Sequence, residues 1–238
     1  MKKTVFLLIL IISLFSLTAC DFTASPPSAE GYPYDELEQD AVPSRDDMKP
    51  LSLGGSELES LLDDITVPNT YQWTCEVTYS FDDTETIYRV VKQVSGDNIR
   101  FDKYSERGTL LMYSIYKNGT LTVIDNMTGE VYKNTKPDPS FLGSIVNLSD
   151  PVLILRTGGE DNISDIVFGY ESSDPALSFT YFDDAYNFSE EYMIRLSDGI
   201  PLRVESRIAD ELVYTLVTTD VTYSIPDEDI FDLPGYAG

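Results

Sequence analysis

The sequence of 238 residues contains no histidine and few basic residues, and both shortages exclude large functional classes. Without histidine there is no common general base near neutral pH, no Ser-His or Cys-His nucleophile pair, and none of the commonest metal ligand. The 16 Lys and Arg residues against 41 Asp and Glu give a formal net charge of −25. Because nucleic-acid-binding domains need a basic surface, we expect no nucleic-acid partner, and most enzyme classes are disfavoured.

Cysteine is also scarce, with two examples, Cys20 and Cys75. Cys75 lies in a strand-like pattern without basic neighbours, which indicates a buried small hydrophobe rather than a reactive thiol. Acid pairs such as Asp183-Asp184 and Glu190-Glu191 are expected by chance among so many carboxylates, and adjacent residues of a strand point to opposite faces. The sequence therefore predicts no catalytic residues, no metal site and no cofactor, and hence a protein that is not an enzyme.

The N-terminus carries a secretory signal. Lys2 and Lys3 precede an uncharged apolar run, TVFLLILIISLFSLTA, which at about 16 residues is shorter than the roughly 20 needed to span a membrane. The run ends in Leu-Thr-Ala-Cys at residues 17–20, which resembles the lipobox of bacterial lipoproteins. The resemblance implies cleavage after residue 19 and lipidation of Cys20, and two acyl chains suffice for stable anchoring. The expected location is extracytoplasmic, lipid-anchored to the outer leaflet of the cell membrane.

A tether is predicted for residues 20–55, between the signal peptide (residues 1–19) and the folded domain (residues 56–238). From Asp21 to Gly55 the chain holds five prolines, eight acids and two bases, a composition that cannot bury enough apolar surface to fold alone. A short docking motif around Tyr32 and Tyr34 is the alternative for this segment.

The folded domain reads as one helix followed by an antiparallel meander. Ser56 and Glu59 form a capping-box pattern before an amphipathic run that ends by Pro68. From Tyr71 the hydrophobic period changes to two, and about ten strands follow, separated by turn signals such as Asn118-Gly119. Between residues 137 and 159 the pattern predicts two short apolar helices. The fold class is therefore α+β.

The C-terminal third carries a family resemblance. The stretches YMIRLSDGIPLRVESR and IPDEDIFDLP resemble the closing strand-turn-strand motif and the closing Ile-Pro to Phe-x-Leu-Pro motif of the LolA-like superfamily. This superfamily includes lipoprotein carriers, a lipid-carrying lipoprotein, a sigma-factor regulator and a spore germination lipoprotein. The resemblance implies a strongly curved antiparallel sheet, a half-barrel, with the short apolar helices as a lid on its concave face. The family's carrier holds its lid with an interior arginine, a role that we assign to neither Arg89 nor Arg100.

Two binding hypotheses follow. In the first, the half-barrel binds an apolar ligand, a lipid or an acyl chain, in the manner of lipoprotein- or lipid-handling proteins. In the alternative, the barrel is filled by its own core, and the lipoprotein docks or regulates an exported partner protein near the membrane, which would also suit a role in sporulation or germination. The predicted pocket residues are Trp73, Val77, Phe101 and Tyr113 on the sheet and Phe141, Leu142, Ile145, Leu153 and Ile154 on the lid.

Overall fold

The computed structural model describes residues 48–82, 84–137, 162–171, 174–224 and 227–233. These residues form twelve strands, one α-helix and one 3₁₀ turn. The elements are β1 (Lys49–Pro50), α1 (Gly55–Asp63), β2 (Thr70–Phe81), β3 (Thr84–Ser95), β4 (Asn98–Ser105), β5 (Leu110–Lys117), β6 (Thr120–Asp125), β7 (Val131–Asn134), β8 (Ile163–Glu171), β9 (Asp174–Asp183), β10 (Phe188–Arg195), β11 (Pro201–Ile208), β12 (Glu211–Thr222) and the 3₁₀ turn Glu228–Phe231.

All twelve described strands belong to one antiparallel sheet, whose order is β1-β8-β9-β10-β11-β12-β2-β3-β4-β5-β6-β7. Strands β2 to β7 form one meander and strands β8 to β12 form another. The two meanders join in the middle of the sheet, where β12 pairs with β2. The described strands leave the sheet open, with β1 and β7 at its two edges, so the predicted fold class, an open antiparallel half-barrel with an N-terminal helix, is confirmed.

Several turns predicted from the sequence form where expected. Asn118 and Gly119 connect β5 to β6 with φ angles of 52° and 74°, the left-handed conformation that a two-residue hairpin turn requires. At the β10–β11 turn, Gly199 has a φ of 73°, and its amide donates to the carbonyl of Arg195 at 2.8 Å. These short turns fix which strands are neighbours within each meander.

Helix α1 begins earlier than the sequence pattern predicts. The N-cap is Gly54 rather than Ser56, and the amide of Gly54 donates to Oε2 of Glu57 at 2.8 Å. Both Gly54 and Ser56 have a glutamate three residues later, so the capping pattern alone permits either start. Leu58 and Leu62 are buried against the sheet, and we call the sheet face that they contact the helix face.

The main core lies on the helix face. One cluster of buried side chains extends over eight neighbouring strands, from Ile166 on β8 to Phe101 on β4, and includes Val204 and Leu216 with no exposed surface. Each fully buried aliphatic side chain of this kind contributes about 1.5–3 kcal/mol. The opposite face carries two small clusters. One surrounds Met193 and the other surrounds Ile124.

The C-terminal 3₁₀ turn packs on the opposite face. Phe231 is 2% exposed, and Nη1 of Arg100 donates to the carbonyl of Ile230 at 2.8 Å. Arg100 is itself held by Asp102, with 2.8 Å between Nε and Oδ1. A salt bridge between Lys117 and Asp232 closes the end of the turn. The 3₁₀ turn is thus held against strands β4 and β5.

The range predicted as a tether contains structured residues at its end. Lys49 pairs with Phe168 of β8, the amide of Leu51 donates to the carbonyl of Ile166 at 2.9 Å, and Met48 is 8% exposed. The structure thus assigns residues 48–55 to the sheet edge and the start of α1. Among the described residues, no helix is long and apolar enough to cross a membrane.

Candidate functional site

Three tyrosines lie side by side on the helix face, and we call them, together with Lys103, the tyrosine row. Tyr79 of β2 stands between Tyr214 of β12 and Tyr88 of β3, with ring centroids 5.3 and 6.0 Å away and edge-on geometry in both pairs. Within the row, Tyr79 lies eight residues along β2 from Tyr71, a distance of roughly 27 Å at about 3.4 Å per residue. All three tyrosines are half-buried, so part of each ring surface stays accessible.

Burial raises the pKa of two tyrosine hydroxyls in the row, those of Tyr79 and Tyr88. It raises the pKa of Tyr79 to about 12, with Tyr88 and Cys75 adding smaller contributions. The pKa of Tyr88 is raised by burial as well. At physiological pH these side chains are therefore uncharged amphipathic groups, each with an apolar ring and a polar tip.

Lys103 places a cation against these rings. It faces Val90 across β3 and β4, and its Nζ lies 3.7 Å from the ring centroid of Tyr88 and 5.9 Å from that of Tyr79. Burial lowers the pKa of Lys103 to about 8. Within the described part of the chain its ammonium has no carboxylate partner, because its contacts are those with the two rings. In the part of the chain that the structure describes, this half-buried positive charge on the helix face is contacted by the rings of Tyr88 and Tyr79.

A carboxylate lies on the other side of the row. Glu190 of β10 is directly opposite Ser206 of β11, whose hydroxyl donates to it at 2.7 Å. The hydroxyl of Tyr192 donates to the second carboxylate oxygen at 2.5 Å. Burial raises the pKa of Glu190, and the two hydrogen bonds counteract part of that rise. Because Ser206 pairs with Tyr214, the helix face is continuous from Glu190 to Lys103.

Three of the four predicted pocket residues on the sheet belong to the core. Trp73, Val77 and Phe101 are 3%, 2% and 3% exposed and pack in the cluster on the helix face. The structure therefore brings these three together. Their side chains are enclosed by the protein itself, so accessible surface on this face is found further along, at the tyrosine row.

The fourth residue, Tyr113, lies on the opposite face. Phe101 pairs with Ser114, whereas Tyr113 pairs with Asp102, so Tyr113 and Phe101 point to different sides of the sheet. Tyr113 packs with Ile115 and Ile124 in the small cluster there, and the guanidinium of Arg100 lies 5.2 Å from its ring centroid. The structure separates Tyr113 from the other three.

The remaining predicted site residues lie outside the described residues. This applies to the lipidation site Cys20 and to the predicted lid. The lid residues concerned are Phe141, Leu142, Ile145, Leu153 and Ile154. Their roles stay predictions.

Both arginines considered from the family resemblance lie on the opposite face. Arg89 faces Tyr104 across β3 and β4, with its guanidinium 4.3 Å from the ring centroid. Arg100 binds the C-terminal turn. Among the described residues, no three acidic or cysteine side chains are grouped closely enough to hold a metal ion.

Sequence reasoning missed all four members of the tyrosine row, Tyr79, Tyr88, Tyr214 and Lys103, as site residues. A signal was available for Lys103, because it is two residues from Phe101 and therefore on the same face of β4. A lysine at a core-facing position of an otherwise apolar pattern marks an unusual charge. The partnership with Tyr88 and Tyr214 depends on the pairing of β2 with β3 and β12, which the sequence pattern does not specify.

Comparisons with known proteins bear on the fold. No protein-family model matches the sequence, and a search of curated proteins finds no match. Among solved structures, an uncharacterized conserved protein from Thermus thermophilus is similar with a TM-score of 0.50 and 10% sequence identity, over 76% of this chain and 95% of that one. This likeness shows a shared fold.

Two further solved structures match with lower TM-scores. A LolA superfamily protein from Nitrosomonas europaea matches with a TM-score of 0.35 and 14% identity, over 76% of this chain and 98% of that one. MucB, solved in complex with MucA(peri), matches with a TM-score of 0.42 and 13% identity, over 73% of this chain and 57% of that one.

Proposed function

We propose that this chain is a membrane-anchored extracytoplasmic lipoprotein that acts by binding, and that the tyrosine row takes up an amphiphile with an apolar chain and an anionic head group. The observation that carries the proposal is the ammonium of Lys103, half-buried against Tyr88 and without a carboxylate partner in the described part of the chain. A buried charge is costly unless an opposite charge compensates it. A carboxylate or phosphate on a ligand would supply that charge.

The surroundings of Lys103 suit the rest of such a ligand. The rings of Tyr79, Tyr88 and Tyr214 offer half-buried apolar surface beside the ammonium, and aromatic walls with a few polar groups are typical of small-molecule sites. An anion about 4 Å from the ammonium would gain about 4 kcal/mol at the effective dielectric constant of a protein surface. The charge would thus hold the head group while the rings contact the chain.

Anion binding at Lys103 predicts a pH dependence. The free protein loses the ammonium proton near pH 8, whereas a bound anion favours the protonated form. Affinity is therefore expected to be constant below pH 7 and to fall by up to tenfold per pH unit above pH 8.

A binding experiment tests the proposal with two anionic probes. Parinaric acid presents a carboxylate and lysophosphatidylglycerol presents a phosphate, so the pair also identifies the preferred head group. The variant Lys103→Met should weaken binding of the preferred probe by about tenfold or more, and Lys103→Arg should retain most of it. Lys133→Met, at an exposed position on β7, is the matched control. No uptake of either probe, or equal losses in the variant and the control, would refute the proposal.

The anchor has its own test. The full chain should label with an alkyne-tagged fatty acid in a bacterial host and fractionate with membranes, and Cys20→Ala should abolish the label and release the protein from the membrane fraction. A membrane-bound, unlabelled wild-type chain would contradict lipidation at Cys20 and leave the binding proposal standing.

A further inference from the structure

Three neighbouring hairpin turns form an exposed surface that the tyrosine row does not use. These are the β2–β3, β9–β10 and β11–β12 turns, and the strands that they join lie side by side in the sheet. Four large apolar side chains are exposed there, between 39% and 70% of their surface. We call this surface the hairpin patch. Its apolar members are Phe81, Phe182, Tyr186 and Ile208, and its acidic members are Asp82, Asp183, Asp184, Asp210 and Glu211.

Two of the three turns of the patch, β9–β10 and β11–β12, are joined to each other. The amide of Ala209 in the β11–β12 turn donates to the carbonyl of Asn187 in the β9–β10 turn at 2.8 Å. Phe188 pairs with Asp183 on one side and with Ile208 on the other. A small cleft between the two turns is lined by Asp184 and Asp210 among others. The apolar and acidic side chains of these two turns are therefore displayed by connected backbone segments.

The charge of the patch is one-sided, and this is specific to one end of the sheet. Residues 81–84, 183–188 and 208–211 contain six acids and no base. The hairpin turns at the other end, residues 95–98, 117–120, 171–174 and 195–201, contain four acids and two bases. The acidic composition of the chain as a whole does not account for this difference, because it would affect the turns at both ends of the sheet alike.

We propose that the hairpin patch docks a basic, apolar segment of a partner protein, with lysine or arginine side chains against its carboxylates and apolar side chains against its exposed rings. Charge complementarity selects this occupant. The chain's own residues 21–55 carry eight acids and two bases, so the tether is repelled. A second copy would oppose carboxylates to carboxylates, and an anionic lipid surface would be repelled in the same way. The patch gives the docking hypothesis a location on this molecule.

Peptide binding to the full-length protein in detergent tests the patch. The probe is a short fluorescent peptide in which pairs of Lys and pairs of Leu alternate, at about 0.15 M salt to screen weak surface attraction. Two variants remove the two components of the patch. Asp184→Asn with Asp210→Asn lowers its charge, and Phe81→Ser with Ile208→Ser removes apolar surface. Asp97→Asn with Glu76→Gln, at exposed positions elsewhere on the sheet, makes the same change in net charge and is the matched control.

Each patch variant should weaken peptide binding by about fivefold or more, and the control should stay within about twofold of the wild type. A peptide with Ser in place of Leu should bind the wild type and the apolar variant equally weakly. Equal losses in the patch and control variants would mean unspecific attraction and would overturn the proposal, as would stronger binding to phosphatidylglycerol vesicles than to the peptide. Lys103→Met should leave peptide binding unchanged, so this test and that of the tyrosine row succeed or fail separately.

Discussion

Replacing Lys103 with methionine should make the protein more stable, although it removes the group that we propose for ligand binding. The pKa of Lys103 is about 8 in the folded chain against 10.5 for an exposed lysine. Because one pKa unit corresponds to 1.36 kcal/mol, the folded state bears a penalty of about 3 kcal/mol for keeping this ammonium at pH 7. Methionine has no charge and packs well against rings. After allowance for the lost ring attraction, Lys103→Met should gain about 1–3 kcal/mol at pH 7.

The sign of the pH dependence separates this explanation from a simple packing effect. Between pH 8 and 10.5 the unfolded chain binds a proton on Lys103 that the folded chain has released, so the free energy of unfolding rises with pH. From pH 7 to 9.5 the wild type should gain about 2 kcal/mol from this group, and Lys103→Met should lack that gain. Its advantage over the wild type should therefore shrink as the pH rises.

Urea unfolding measures both quantities. Trp73 is the one tryptophan in the sequence and is 3% exposed, so its fluorescence reports loss of the core. Titrations at pH 7.0 and 9.5 give the free energy of unfolding of the wild type, of Lys103→Met and of the control Lys133→Met. Parallel pH dependence in wild type and Lys103→Met would refute the reasoning, and so would a variant that is less stable at pH 7.

Three further predictions concern the rest of the sheet. Asp198→Ala should lower the free energy of unfolding in urea by about 3 kcal/mol. The carboxylate of Asp198 is 2% exposed and binds Arg195, the hydroxyl of Tyr223 and the amide of Ile200. A loss below about 0.5 kcal/mol would contradict this prediction. Phe231→Ala should lower the free energy of unfolding by about 1–3 kcal/mol, less than the 3–5 kcal/mol typical of core phenylalanines, because the C-terminal turn can detach by itself. The same variant should be trimmed faster by carboxypeptidase. An unchanged rate of trimming would contradict the docking of the turn. The thiol of Cys75 should not react with Ellman's reagent at pH 8 until urea is added, because burial raises the pKa of this thiol. Rapid reaction of Cys75 in the native protein would contradict its burial.

The sequence predicts strands such as β2 and β11 well because their side chains alternate between buried and less buried positions, and it predicts hairpins where the turn chemistry is local. Asn118 and Gly119 specify their turn without help from the rest of the chain. Helix α1 was predicted as an element, yet its start was misplaced at Ser56, since Gly54 has the same relation to Glu57 that Ser56 has to Glu59.

The site was predicted less completely because it depends on relations between strands. Within β4 the alternation correctly places Phe101 on the helix face. The face of Tyr113 on β5 depends on an irregularity in the pairing of β5 with β4, whose register shifts between Lys103 and Tyr104 of β4. No local sequence pattern specifies such a shift. A one-residue change of register moves every following side chain to the other face, which is why Tyr113 was grouped with residues from which the structure separates it.

The seam between the two meanders has a consequence for the order of folding. Val77 pairs with Leu216, so the partners at the centre of the sheet are about 140 residues apart in the chain, whereas the hairpins on either side close locally. Contacts of such long range form slowly. As the chain emerges from its N-terminus, β2 must wait with one edge unpaired until β12 arrives, and an unpaired edge invites association with other chains. Strand β2 is thus completed by residues that appear about 140 positions later in the chain.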